Sequence, residues 1–191
     1  FRCGENIMIA GSSWPQDEEI ITKYINSNPG RFKWIFAPHE VDQGAIERLE
    51  RMLTVKTVRF SEASGNPGEA RVLIIDTIGR LSSAYRYAIV AAVGGGFGKG
   101  IHNILEPACW GIPVLFGPNH HKFREAVELL SLGGAFEFGS YEEFRDILDR
   151  LLSDDELLSR SSAIAREYVE SNRGATEKIV SILLEKDINR Y

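Results

Sequence analysis

The sequence predicts an α/β fold in which one parallel sheet carries helices on both faces. Three observations support this. About seven short apolar runs recur along the 191 residues, and amphipathic stretches with apolar residues at helical spacing separate them. Each run stops at glycine, proline or a small polar residue and a helix-opening segment follows, an order that requires right-handed crossovers between parallel strands. At 43% hydrophobic residues the chain can bury a sizeable core, and residues 1–191 read as a single domain.

In order, residues 6–10 are a buried strand, Gly11-Ser12-Ser13 its turn, and 16–26 a helix. Ser12 or Ser13 caps that helix, the commoner use of such residues, although Ser12 is also placed to touch a ligand phosphate. Residues 32–37 form the second run, stopped by Pro38-His39-Glu40, and 43–53 a helix carrying Ile46, Leu49 and Leu53. His39 stands at a strand's carboxyl edge, where it either contacts a ligand or is simply a partly exposed polar residue. A strand over 57–60 precedes a polar loop, 61–69, with a turn at Gly65-Asn66-Pro67-Gly68. Residues 71–75 run into Asp76-Thr77-Ile78-Gly79-Arg80-Leu81 and a short helix to Tyr85, with Asp76 or Thr77 as its cap.

The run at 89–93 ends in Gly94-Gly95-Gly96; two more glycines flank Lys99, and a helix is predicted from near Asn103 to Trp110-Gly111. After it come a strand at 112–116 ending in Gly117-Pro118, a helix at 123–132 and a strand at 135–138. Capping boxes at Ser140-Tyr141-Glu142-Glu143 and Ser153-Asp154-Asp155-Glu156 open two further helices. The stretch through Tyr168 and again over 175–185, with Ile179, Ile182 and Leu183, is helical. These helices, from about 154 to 191, are expected to pack on the sheet edge or on a domain missing from this chain.

The loop from Gly94 to Asn103 reads as an anion site: glycines leave amides unshielded, and a helix N-terminus adds unpaired N–H groups and a partial positive charge. It is not a known phosphate loop. The Walker pattern ending at Gly98-Lys99 needs glycine at Val93 and a hydroxyl at Gly100, and no complete Gly-x-Gly-x-x-Gly fits. Asn103-Ile104-Leu105-Glu106 is a capping box, or else Glu106 accepts bonds from a ribose diol beside the phosphate. His120 with His121, and His102 with Glu106, lack a third ligand of clear spacing, so no metal is expected.

Composition narrows the partners. Twenty-two basic against 27 acidic side chains give net charge −5 with no long basic run, which argues against a nucleic-acid surface. Cys3 and Cys109 form neither a disulfide framework nor a zinc ribbon, which fits reduced thiols. No stretch approaches about 18 apolar residues and no signal-peptide pattern opens the chain, which predicts a soluble fragment. The absence of a leading methionine suggests a piece of a longer protein.

Three motifs then stand out jointly: Asp76-Thr77-Ile78-Gly79-Arg80-Leu81; Gly95-Gly96 with His102-Asn103-Ile104-Leu105-Glu106-Pro107-Ala108; and Gly111-Ile112-Pro113-Val114-Leu115-Phe116-Gly117-Pro118 followed by Phe123-Arg124-Glu125. With them the chain resembles the C-terminal half of the 3-deoxy-D-manno-octulosonic acid (Kdo) transferases of lipopolysaccharide assembly. The resemblance implies a GT-B glycosyltransferase of two Rossmann-like domains, inverting at the anomeric carbon, with no cofactor and no metal. Its C-terminal domain holds the donor CMP-Kdo, and the missing N-terminal domain holds the lipid A precursor and the catalytic base. It places the full enzyme at the cytoplasmic face of the bacterial inner membrane, and implies that this chain alone transfers no sugar.

By the same resemblance CMP is held by Pro38 and His39, by Ile78, Gly79 and Arg80, by Gly96, and by Asn103, Ile104, Leu105 and Glu106, with Ser12, Lys99 and His102 as secondary candidates. The chain departs from the family pattern where Ala37-Pro38-His39 replaces Pro-Arg-His, where Arg80 replaces glutamate, and at Gly100-Ile101 before His102. Arg80 or Lys99 is positioned to replace the lost arginine. Two alternatives remain: a UDP-sugar transferase or epimerase of similar architecture, and a non-catalytic nucleotide-binding module.

Overall fold

The computed structural model describes residues 1, 4–63, 67–174 and 179–181. Cys3, the Gly65-Asn66 part of the predicted turn, and Ile182 and Leu183 of the last predicted helix lie outside them.

Seven strands form one parallel sheet: β1 (Ile7–Ser13), β2 (Lys33–Pro38), β3 (Thr57–Arg59), β4 (Val72–Ile74), β5 (Ala88–Val93), β6 (Val114–Phe116) and β7 (Ala135–Glu137), in the order β3-β4-β2-β1-β5-β6-β7. The helices are α1 (Pro15–Ser27), α2 (Gln43–Met52), α3 (Leu81–Ala84), α4 (Leu105–Ala108), α5 (Arg124–Leu132), α6 (Tyr141–Ser153) and α7 (Asp155–Ser171).

Strand alternation explains why both faces are covered. Met8, Ala10, Trp34, Phe36, Val72, Ile74, Val90 and Ala92 point to one side, where Ile21, Tyr24, Ile46, Leu49, Phe144 and Leu148 of α1, α2 and α6 meet them. Their in-between neighbours Ile7, Ile9, Ile35, Leu73 and Ala91 point to the other side, toward Leu81 and Ala84 of α3 and Tyr85 beyond it. Farther along that second face Val93, Val114 and Phe116 pack with Ile104, Ala108, Ala126, Leu129 and Ala165. Each fully buried side chain of this size contributes roughly 1.5–3 kcal/mol over its exposed state. A run apolar at every position is therefore stable only with helices on both sides. Helix α7 turns Ser161 and Ala165 inward and packs on α4, α5 and α6 of this same sheet.

Several predicted caps are corrected. Ser12 and Ser13 do not cap α1, because pairing with β2 and β5 extends β1 through them, to Ser13 opposite Pro38. Ser13 Oγ instead donates to the buried Glu18 Oε1 at 3.1 Å, and Trp14 is the residue before the helix. Asp76 is drawn away from α3 by Ser61, whose amide it accepts at 2.9 Å, and Thr77 Oγ1 is buried without a partner. Helix α3 begins after Arg80 with no side-chain cap. Helix α4 starts at Leu105, not at Asn103: Asn103 Oδ1 accepts the Leu105 amide at 3.0 Å, and Glu106 Oε1 lies 3.4 Å from the Asn103 side-chain nitrogen, not its backbone. Ser140 does cap α6, accepting the Glu143 amide at 3.2 Å. At α7 the cap is Asp154, one residue later than predicted, because Ser153 still belongs to α6; Asp154 Oδ1 accepts the Leu157 amide at 2.9 Å.

The loops after β5 and β6 touch through glycine backbones. A Cβ on Gly96 would lie 2.6 Å from both the Gly117 Cα and N, with no flexible side chain to yield. Gly96→Ala should therefore lower stability by about 1–3 kcal/mol in urea unfolding, with the larger end expected because backbone must move. A change under about 0.5 kcal/mol would mean that this approach is loose.

Candidate functional site

Every strand is parallel, so the loops that follow β4, β2, β1, β5 and β6 stand side by side on one rim. The order of connection reverses at β1: the chain builds outward through β2 on one side and through β5 on the other. The loops at that reversal part to leave a crevice, the usual ligand position of an open parallel sheet. Here the crevice holds a cavity of about 560 Å³ lined by Trp14, Pro15, Asp17, Phe97, Lys99 and His102 together with loop glycines.

Asp17 forms its buried wall. One carboxyl oxygen, Oδ2, accepts the amides of Trp14 and Gly95, each at 3.0 Å, tying the first turn of α1 to the loop after β5. The other oxygen is buried without a partner. Burial pushes the Asp17 carboxyl above its ordinary range, and the two amide bonds only partly oppose this. Gly94 must lack a side chain, since a Cβ there would lie 2.3 Å from the Ser12 carbonyl oxygen and 2.7 Å from Asp17 Oδ2.

The predicted open cradle of amides is corrected by this arrangement. Gly95 donates to Asp17, Gly94 to the Gly11 carbonyl, Gly98 and Gly100 to that of Gly95, and His102 to that of Gly94. Much of the loop's donor capacity is spent on its own fold. The amide of Leu105 is likewise taken by Asn103, and α4 has only four residues, so its dipole is short.

Three rings assemble above Asp17. Trp14 Nε1 donates to His102 Nε2 at 2.8 Å with the two rings nearly coplanar, 7° apart. His39 lies across both, its centroid 4.5 Å from Trp14 and 4.3 Å from His102. Accepting at Nε2 leaves the His102 proton on Nδ1. Burial first, and the neighbouring His39 second, lower the His102 pKa below its usual 6.5.

The structure thus brings two predicted residues, His39 and His102, into contact and sets Lys99 on the cavity beside them. Ile78, 90% exposed, with exposed Gly79 and Arg80, stands on the loop after β4, and Arg80 sits 5.8 Å over the Phe60 ring. Asn103 is exposed, Leu105 partly so and Glu106 half-buried, whereas the Ile104 side chain is wholly buried in the core. Pro38 and Gly96 are buried, and Ser12 is half-buried with a left-handed φ of 51°. His120 is buried with Nδ1 3.5 Å from Glu137 Oε2; among the described residues no group of three or more His, Cys, Asp or Glu is arranged to hold a metal ion. Cys109 is a free, exposed thiol.

Sequence reading missed Trp14 and Asp17. Trp14 did carry a signal, an aromatic immediately before a helix-opening proline at the end of the central strand. Asp17 carried none, since an acid in a helix's first turn is commonplace.

No protein-family model matches the chain. It is 36% identical over 152 residues to the 3-deoxy-D-manno-octulosonic acid transferase of Aquifex aeolicus, covering 76% of this chain and 42% of that protein. It is 32% identical over 149 residues to the Bordetella pertussis transferase of the same description, covering 76% of this chain and 34% of that protein. The chain therefore spans about two fifths or less of the length of these relatives. In three dimensions it is similar to the C-terminal CMP-Kdo binding domain of WaaA from Acinetobacter baumannii, with a TM-score of 0.75, 22% identity, and coverage of 86% of this chain and 89% of that one. The fold is that of a GT-B C-terminal domain. Among the described residues no helix is long and apolar enough to cross a membrane.

Asp17→Ala should cost about 3 kcal/mol by orphaning two amides, while Asp17→Asn, which keeps an acceptor, should stay within about 1 kcal/mol at neutral pH. Folding holds the Asp17 proton more tightly than the unfolded chain does. Its contribution is thus full below the ordinary value near 3.8 and declines as pH rises through the raised one. Chemical denaturation from pH 3 to 7 should show that decline in the parent and not in Asp17→Asn.

His102 has the opposite slope. Its folded pKa is lowered, so its contribution is full above the ordinary value near 6.5 and is lost as pH falls below it. Trp14 emission, read in a variant whose other tryptophans are replaced by phenylalanine, should change over that interval as the indole bond is lost. In His102→Gln the change should vanish; its persistence would show that another group titrates.

Proposed function

This chain is a sequence relative of the 3-deoxy-D-manno-octulosonic acid transferases, and we propose that it is the donor-nucleotide domain of such an enzyme, one that transfers Kdo from CMP-Kdo to a lipid A precursor. The observation that carries the reading is the reversal of strand order. It sets His39, Ile78–Arg80 and Asn103–Glu106 on the loops after β2, β4 and β5, on the ligand-binding edge of a parallel sheet.

In this reading the exposed Ile78 and the bare backbone of Gly79 meet the cytosine edge. Glu106, half-buried and held near Asn103, accepts the ribose hydroxyls. Ile104 contributes backbone alone, because its side chain belongs to the core. The phosphate lies against the Asn103–Ile104 backbone, with the Arg80 guanidinium and His39 nearby on adjoining loops supplying positive or donor groups in place of the arginine that the family pattern has beside Pro38. Donors fixed before the reaction stabilise CMP as its phosphate takes up charge on leaving. The base and the lipid acceptor belong to the remaining part of the enzyme, which works at the cytoplasmic face of the bacterial inner membrane; residues following α7 pack against it.

Glu106→Ala tests the ribose assignment. Calorimetric titration should show CMP binding weakened about tenfold, with an unchanged circular dichroism spectrum and melting transition. Superimposable CMP titrations for the folded variant and parent would sink the assignment. A parent that binds UMP as tightly as CMP would sink the cytidine reading as well.

A further inference from the structure

We infer that the cavity between Trp14 and Lys99 is a subsite for a sugar acid joined to the nucleotide, and that the Lys99 ammonium reads its carboxylate. This rests on the donor-nucleotide reading above. At about 560 Å³ the cavity is of ligand size, and it borders His102, the ring on which His39 stacks. A molecule bound at the nucleotide contacts therefore has room to extend past His102.

The lining suits a sugar acid in two respects. Trp14 and Phe97 offer ring surface to the C–H faces of a pyranose, and the bond to His102 fixes the Trp14 plane. The charge is also of the right sign. Lys99 is the one lysine or arginine in the lining; His102 is held neutral by its indole partner, and Asp17 is buried behind the wall.

Lys99 is also unengaged. Among the described residues Lys23, Lys33 and Lys56 are in ion pairs, and Lys122 donates to the Lys99 carbonyl at 2.6 Å. The Lys99 ammonium has no such partner. Its backbone is pinned on both sides, by that bond and by Asn119 donating to the Gly98 carbonyl at 2.8 Å, so little loop ordering is left to oppose binding. A cation held this way selects a donor with a carboxylate beside its anomeric carbon and gives nothing to a neutral hexose.

The test is calorimetric titration of the parent, Lys99→Ala and Lys99→Arg with CMP and with CMP-Kdo. Lys99→Ala should bind CMP-Kdo about tenfold more weakly while CMP affinity stays within about twofold, and Lys99→Arg should recover most of the loss. If neither ligand responds to Lys99→Ala, the subsite is refuted. If both weaken alike, Lys99 contacts the phosphate and the carboxylate assignment fails. A parent that binds neither ligand overturns the donor reading itself and this subsite with it, whereas a parent that binds CMP without the predicted split overturns the subsite alone.

Discussion

A single buried carboxyl group, Asp17, sets the geometry of the rim. By accepting the amides of Trp14 and Gly95 it joins the first turn of α1 to the loop after β5, across the point where strand order reverses. Leaving both amides unpaired in that buried position would cost several kilocalories per mole, so the two loops behave as one unit. Gly94 then has no room for a side chain, and Trp14 is held where its indole reaches His102. The His39 stack follows from that placement.

The glycines of the central loop serve packing more than they serve a ligand. Gly94 sits against Ser12 and Asp17, and Gly96 against Gly117, so the backbones after β1, β5 and β6 approach more closely than side chains would permit. The amides that a glycine-rich loop leaves bare are here largely consumed by neighbouring carbonyls and one carboxylate. Positive charge on the rim therefore resides in side chains, Arg80 on one loop and Lys99 on another, and not in a helix end or a nest of amides.

Local patterns located strands and helices well and capping residues poorly. The runs of Ile, Val and Ala mark β1, β2, β4 and β5 because a strand buried on both faces has no polar position to alternate with. Caps depend on competitors that a short window does not contain. Asp76 looked free to cap α3 until Ser61, from a separate loop, took its oxygen, and Ser13 was absorbed into a strand lengthened by partners on both sides. Ser140 was legible because its partner Glu143 lies within one turn. The site divides in the same way: His39 and Lys99 were recognisable from their places after strands, and Trp14 and Asp17 were not.

By itself the sequence determined the class of fold, the rim on which a ligand would sit and the family resemblance, since each is encoded in residues close together along the chain. Tertiary structure alone decided which side chains meet there. Asp17 and Gly95 are 78 positions apart, and Trp14 and His102 are 88 apart. Their contact depends on β1 pairing beside β5 in one register, a choice made by the packing of the whole sheet, and no local periodicity records it.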